Sequence, residues 1–227
     1  MLYNKIKMVI YTFFINTLYG YKLKKANSNS EKKELHIEYS QKILTKLNIE
    51  VKVKNREKLP TDGQFLLISN HRSIIDPLIV EMALEKTNIF GIWVSKKELT
   101  PSLFIGSLIK NGGTVLLDKE NKNLSYFFKE IKTYVDNGDS IFIFPEGTRN
   151  RENTQLLHFK RGAKLIALKN KLSILPIYIR TNAHMALQSA LQDNKPLEVE
   201  VEIGDVIDCK TKTEVEKLYR DMFKLEG

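Results

Sequence analysis

The chain has 227 residues, 42% hydrophobic and 28% charged, which suits one sizeable domain, or at most one with a small appendage, and excludes a disordered chain or a fold that depends on staples. Its one cysteine, Cys209, leaves no internal disulfide and fits a reducing compartment, and no closely spaced His/Cys cluster offers a metal site. The net charge is +9, and residues 1–60 carry thirteen Lys or Arg against five Glu and no Asp; this surplus favours a polyanion, either nucleic acid or an anionic membrane surface, unless it is simply a solvated lysine-rich face.

The first 25 residues, MLYNKIKMVIYTFFINTLYGYKLKK, have an apolar and aromatic centre from Met8 to Leu18 with lysines on both sides. A bilayer needs roughly 20 apolar residues, so this centre is too short to span one. Tyr, Asn and Thr interrupt it and no small-residue cleavage site follows, which argues against a signal peptide. The pattern predicts an interfacial helix, with its apolar face in lipid and lysines on anionic phosphates; a helix packed on the protein's own core is the alternative. ANSNSEKK (26–33) reads as a linker, Glu34–Leu47 as a second helix, and VKVKN (51–55) as a short edge strand.

A rhythm then sets in. QFLLIS (64–69), IFGIWVS (89–95), GTVLLD (113–118), SIFIFP (140–145) and ILPIYIR (174–180) are apolar runs of strand length. Between them, Pro77–Glu85, Ser102–Lys110, Asn121–Asn137 and Phe159–Lys169 read as helices. Apolar strands alternating with helices predict a single α/β domain with a mostly parallel central sheet flanked by helices, carrying an N-terminal membrane-associating segment. LEVEVEIG (197–204) alternates strictly and predicts a strand with one wet face; the last helix is expected over Lys212–Leu225. The division expected is 1–50 for the basic helical anchor and 51–227 for the α/β domain.

In an open α/β sheet, sites gather at the carboxyl ends of the strands. NHRSIID follows the first apolar run, and PEGTRNR ends the fourth. His71 and Asp76 lie five residues apart, so a turn between strand and helix can bring the carboxylate to Nδ1 and leave Nε2 free to take a proton. Equally, Asp76 can be a helix cap before Pro77. In FPEGTRNR (144–151), Gly147 and Thr148 offer backbone N–H groups and a hydroxyl to an anion, and Arg149 and Arg151 offer bidentate donors. Glu146 is suited to orient Arg149 or to meet a substrate hydroxyl; a tight turn with solvated arginines is the alternative. Lys160, Arg161 and Gly162 precede a helix and form a second anion-facing terminus. The chain holds no G-x-S-x-G elbow, no phosphate-binding Gly-rich loop ending in Lys-Ser/Thr and no G-x-G-x-x-G, and Cys209 lies in a polar turn. A base without its own nucleophile fits direct transfer to an activated hydroxyl. The basic residues lack aromatic interleaving beyond the first helix, which counts against nucleic acid.

NHRSIID (70–76) and FPEGTRNR (144–151) resemble the first and third blocks of the glycerolipid acyltransferases, the 1-acyl-sn-glycerol-3-phosphate (lysophosphatidic acid) acyltransferases in particular. GTVLLDK (113–119) resembles their second block and ILPIY (174–178) their fourth, in matching order and spacing over about residues 60–180. The resemblance implies His71 as general base, Asp76 as its orienter, and Glu146, Gly147, Thr148 and Arg149 on the glycerol phosphate, with Lys119 of the second block as a further cation; Lys160 and Arg161, from the residue reading, are expected to add to it. It implies an acyl-acyl carrier protein or acyl-CoA donor, lysophosphatidic acid as acceptor, no cofactor or metal, and a place on the cytoplasmic face of the cell membrane. The family's second block has Arg and Phe where this chain has Lys119 and Leu116; lysine keeps the charge but loses the fork, so another lysophospholipid or glycerol 3-phosphate remains open as acceptor. The contrasting class is a non-catalytic protein that binds anionic lipid.

Overall fold

The computed structural model describes residues 2–100, 102, 106–118, 124–193 and 195–226. Two helices lead, α1 (Leu2–Lys25) and α2 (Asn29–Lys46). They are followed by β1 (Ile49–Lys54), β2 (Phe65–Ser69), α3 (Asp76–Ala83), β3 (Gly91–Lys96), α4 (Gly106–Asn111) and β4 (Thr114–Leu117). Next come α5 (Ser125–Asp136), β5 (Ser140–Ile143), α6 (Gly162–Asn170), β6 (Ser173–Ile179), α7 (Ala183–Asp193), β7 (Leu197–Ile203) and α8 (Val215–Phe223). The strands form one sheet in the order β1-β7-β6-β2-β5-β3-β4, with every neighbouring pair parallel except β6 and β7.

The apolar runs are continuous because the central strands are buried on both faces. Leu67, Leu175, Ile177 and Ile179 point to one layer, with Ile79 and Val80 of α3 and Ala183, Ala186 and Ala190 of α7. Leu66, Ile68, Ile174 and Tyr178 point to the other, with Ile131 of α5, Ile166 of α6 and Tyr219 of α8. Strand β7 behaves as its alternation predicts: Val199, Val201 and Ile203 are fully buried, while Glu198 and Glu200 face outward and pair with Lys52 and Lys54 of the edge strand β1.

Three expectations shift. The 26–33 linker shrinks to three residues because Ser28 caps α2: its hydroxyl accepts the Glu31 N–H at 3.1 Å, and the Glu31 carboxylate accepts the Asn27 N–H at 2.9 Å. Helix α6 begins at Gly162, three residues later than expected. Helix α7 was not expected at all; its buried face is alanine, which gives a weak apolar stripe. Part of the helix expected over Ser102–Lys110 and the start of that over Asn121–Asn137 lie outside the described residues.

Helix α1 packs through Asn16, Tyr19, Gly20 and Leu23. Gly20 is needed there: a Cβ would sit 1.9 Å from Ser107 Oγ of α4, and the Gly20 carbonyl accepts Asn111 Nδ2 at 3.0 Å. The opposite face leaves Ile6, Val9, Ile10, Phe13, Phe14, Leu18 and Tyr21 exposed. No described helix is long and apolar enough to cross a membrane. Ile43 and Leu44 of α2, and Leu47 just after it, enter the same core cluster as α3 and β6.

Candidate active site

Strand β2 ends at Ser69, and Asn70 continues its pairing by side chain. Asn70 Oδ1 accepts the Ile179 N–H at 2.8 Å, and its Nδ2 donates to the Ile179 carbonyl at 3.0 Å. The Asn70 N–H donates to the hydroxyl of fully buried Tyr219, which donates in turn to the Ile177 carbonyl at 2.6 Å. The main chain is thereby freed to turn at residue 71 without orphaning β6.

In that turn His71 Nδ1 lies 2.8 Å from Asp76 Oδ2. The same oxygen accepts the Arg72 N–H at 2.6 Å and the Ser73 N–H at 2.7 Å. Asp76 makes no side-chain cap on α3 but reaches back to 71–73, an arrangement in which its carboxylate can orient the imidazole. Its carboxylate is 1% exposed and the imidazole 19%, and no protein group engages Nε2 among the described residues. The ring stacks on Phe144 at 4.0 Å and 8°, and Phe144 stacks on Trp93 at 5.0 Å and 26°. The Trp93 indole N–H donates to Glu81 Oε1 at 2.8 Å. The imidazole is held from one edge and one face, with Nε2 left for solvent or ligand.

Glu146 joins the two loops. Its Oε1 accepts the His71 N–H at 2.6 Å and its Oε2 accepts the Leu157 N–H at 2.8 Å, while Asn150 donates its N–H to the His71 carbonyl at 2.6 Å. Burial pushes its carboxyl up to about 7, against the pull of those two N–H donors and of Arg72. At 1% exposure with both oxygens engaged, Glu146 braces the loop from beneath, a different arrangement from the hydroxyl contact or Arg149 pairing expected of it.

Gly147 has φ of 68°, the left-handed region a Cβ disfavours, and the Lys160 stem lies 3.3 Å from where that Cβ would be. The Lys160 N–H donates to the Pro145 carbonyl at 2.8 Å, so the two basic stretches fold onto one loop. Thr148, Arg151, Lys160 and Arg161 are exposed and Arg149 is half-buried. Among the described residues none of these four cations has an acidic partner. Lys119 lies outside the described residues. Among the described residues no cluster of three potential ligands could hold a metal ion. Sequence reasoning missed Asn70 as a strand surrogate and Phe144 and Trp93 as the ring's platform; the aromatic at the head of FPEGTRNR was the available signal.

A family model described as "Acyltransferase" matches residues 50–180. The 1-acyl-sn-glycerol-3-phosphate acyltransferase of Helicobacter pylori is 37% identical over 128 residues, which are 55% of this chain and 53% of that protein. Its namesake from Bacillus subtilis is 33% identical over 135 residues, 60% of this chain and 65% of that protein. The chain thus spans only about half to just under two thirds of these relatives' length. In fold, the crystal structure of the 1-acyl-sn-glycerophosphate (LPA) acyltransferase from Thermotoga maritima is similar with a TM-score of 0.70 at 22% identity, covering 97% of this chain and 93% of that one. The family match takes in both strand-end loops and more than half of the 227 residues, so the chain belongs to the acyltransferase family.

Proposed function

We propose that this chain is a 1-acylglycerol-3-phosphate acyltransferase: it moves a fatty acyl group from an acyl thioester to the free sn-2 hydroxyl of lysophosphatidic acid, giving phosphatidic acid. The observation that carries the reading is the buried Asp76 carboxylate 2.8 Å from Nδ1 of an imidazole whose Nε2 is free. With Nδ1–H donated to Asp76, Nε2 takes the hydroxyl proton as the oxygen attacks the thioester carbonyl. Asp76 favours the imidazolium that results. Collapse of the tetrahedral adduct breaks the C–S bond, and the leaving thiolate takes the proton back from Nε2. No acyl-enzyme is needed.

The unpaired cations Arg149, Lys160 and Arg161, with Lys119, are assigned to the acceptor's phosphate, and Gly147 and Thr148 to backbone and hydroxyl contacts with it. Glu146 serves them by holding the loop. The names of the relatives from Helicobacter pylori and Bacillus subtilis support lysophosphatidic acid as the acceptor. We take the donor as acyl-acyl carrier protein or acyl-CoA. Residues 1–50 are proposed as the membrane-facing helical layer and 51–227 as the acyl-transfer domain, attached to the cytoplasmic face of the cell membrane through the exposed apolar side of α1.

A panel of acceptors with one labelled acyl thioester tests the reading. Labelled phosphatidic acid, in preference to the products of glycerol 3-phosphate or other lysophospholipids, is the expected result. Labelled product from no acceptor would leave a lipid-binding protein in its place.

A further inference from the structure

An open cavity lies beside the catalytic turn, at the carboxyl ends of β2 and β6. It has a volume of about 220 Å³ and is lined among others by Arg72, Thr154, Tyr178, Arg180 and Asn182. At about 30 Å³ per water molecule it has room for a headgroup, not for an acyl chain. Arg72 lies two residues past Asn70 and Arg180 directly follows Ile179, so the Asn70–Ile179 pair brings their main chains to neighbouring positions.

The donors in this cavity are not used up. Of the five N–H groups on each guanidinium, Arg72 gives one to the Thr154 carbonyl, while Arg180 gives one to Glu202, with which it is ion-paired beside Glu200 at 4.0 Å, and one to the Phe223 carbonyl, so Arg180 offers donors and Arg72 the charge left uncompensated among the described residues. Tyr178 is 5% exposed and packs its ring on Tyr219 and Phe223. Its hydroxyl has no protein hydrogen-bond partner among the described residues, yet it is not among the sealed, unsatisfied atoms, so it faces the cavity. The Arg180 guanidinium carbon lies 5.3 Å from the centre of that ring. Burial pushes the Tyr178 phenol up, against the pull of Arg72 and Arg180, so it stays a donor at neutral pH. The first turn of α7 starts beside the cavity, with Asn182 Oδ1 accepting the Met185 N–H at 3.2 Å. The buried Tyr178 side chain, its hydroxyl without a protein partner among the described residues at the edge of an open polar groove, calls for a ligand that supplies an acceptor.

We propose that this cavity binds a phosphate group of a substrate, with Arg72, Arg180 and the Tyr178 hydroxyl as its donors. This site is separate from the loop cations assigned above, and its use in turnover rests on the acyl-transfer reading. Two substrates bring the same chemistry: the thioester donor, through the phosphate of its phosphopantetheine arm, and the acceptor's one phosphate monoester, which would then sit here instead of on the loop cations.

Inorganic phosphate is titrated into the full chain carrying Arg149→Ala, so that the loop does not mask the cavity, and binding is read from the melting temperature at constant ionic strength. Adding Tyr178→Phe removes one oxygen that no protein group contacts, so the fold is kept, and Kd is expected to rise about tenfold, as for a hydrogen bond to a charged group. Arg72→Gln is expected to do the same. An unchanged Kd in both overturns the site. Two selectivity ratios then identify the source in an otherwise wild-type chain: lysophosphatidic acid over monoacylglycerol, and acyl-CoA over acyl-N-acetylcysteamine. A tenfold fall of the first ratio on Tyr178→Phe assigns the acceptor's phosphate, and a fall of the second assigns the donor's. If both ratios hold, the cavity has no part in substrate recognition. If no pair of substrates reacts at all, the transferase reading fails, while the phosphate titration still decides whether the cavity binds the anion.

Discussion

The Glu146 carboxylate accepts the backbone N–H of His71 at 2.6 Å, so the loop that follows β5 grips the main chain of the turn that follows β2. That grip places a carboxylate in a buried setting, where its pKa rises from an ordinary 4.5 to about 7. A carboxyl whose folded pKa is raised contributes most to stability below its unfolded pKa, and that contribution is lost as pH rises through the folded value. Asp139, raised by burial to about 6, acts in the same sense. The expected outcome is a melting temperature that falls between about pH 4.5 and 7 more steeply in the wild type than in Glu146→Gln, which keeps the Asp139 share only. Parallel pH profiles for the two proteins would show that Glu146 does not titrate in this window.

Asp76→Asn preserves shape but changes what faces Nδ1. Asp76 Oδ2 takes three N–H donors while buried Oδ1 has no partner, so an amide nitrogen at either position is poorly served. Turnover is expected to fall on the order of 10²–10⁴-fold, because the imidazole loses its orienting acceptor. The unfolding free energy is expected to drop by about 1–3 kcal/mol. A folded Asp76→Asn variant with wild-type turnover would remove Asp76 from proton transfer.

Asn70→Ala tests the side chain that stands in for a strand residue. It leaves the Ile179 N–H and carbonyl both buried and unpaired, a loss of about 2–4 kcal/mol. In a chain of this size that corresponds to roughly 5–15 °C in melting temperature. A shift under about 2 °C would mean that Ile179 finds other partners.

The exposed side of α1 predicts vesicle binding. Ile10 and Phe14 are 52% and 66% exposed, and burying what remains exposed of the two side chains in lipid is worth about 2–4 kcal/mol. Ile10→Glu with Phe14→Glu should abolish co-sedimentation with anionic vesicles while leaving the melting temperature unchanged. Undiminished binding would place the lipid contact elsewhere.

Strand positions were legible because burial on both faces writes itself as apolar runs, and β7 because Val199, Val201 and Ile203 alternate with glutamates. Helix α7 was hidden because Ala183, Ala186 and Ala190 bury little apolar area, and the α2 start was hidden because Ser28 and Glu31 cap within a stretch that also reads as loop. His71 and Asp76 were legible as a pair since a five-residue turn can close them. The place of Glu146 was not, because its partners are backbone N–H groups, and Leu157 in the sequence says nothing about its amide. The stack of His71, Phe144 and Trp93 joins the ends of β2 and β5 to the middle of β3, segments distant in the chain, and no local pattern encodes that contact.

Acyl transfer by His71→Ala, measured with a labelled thioester and lysophosphatidic acid, bears most directly on the imidazole as base. The ring contributes a 19%-exposed side chain and a stack on Phe144, so the variant should melt within a few degrees of the wild type. Turnover reduced on the order of 10²–10⁴-fold in that folded protein is the result expected. Turnover within threefold of wild type would show that another group takes the hydroxyl proton.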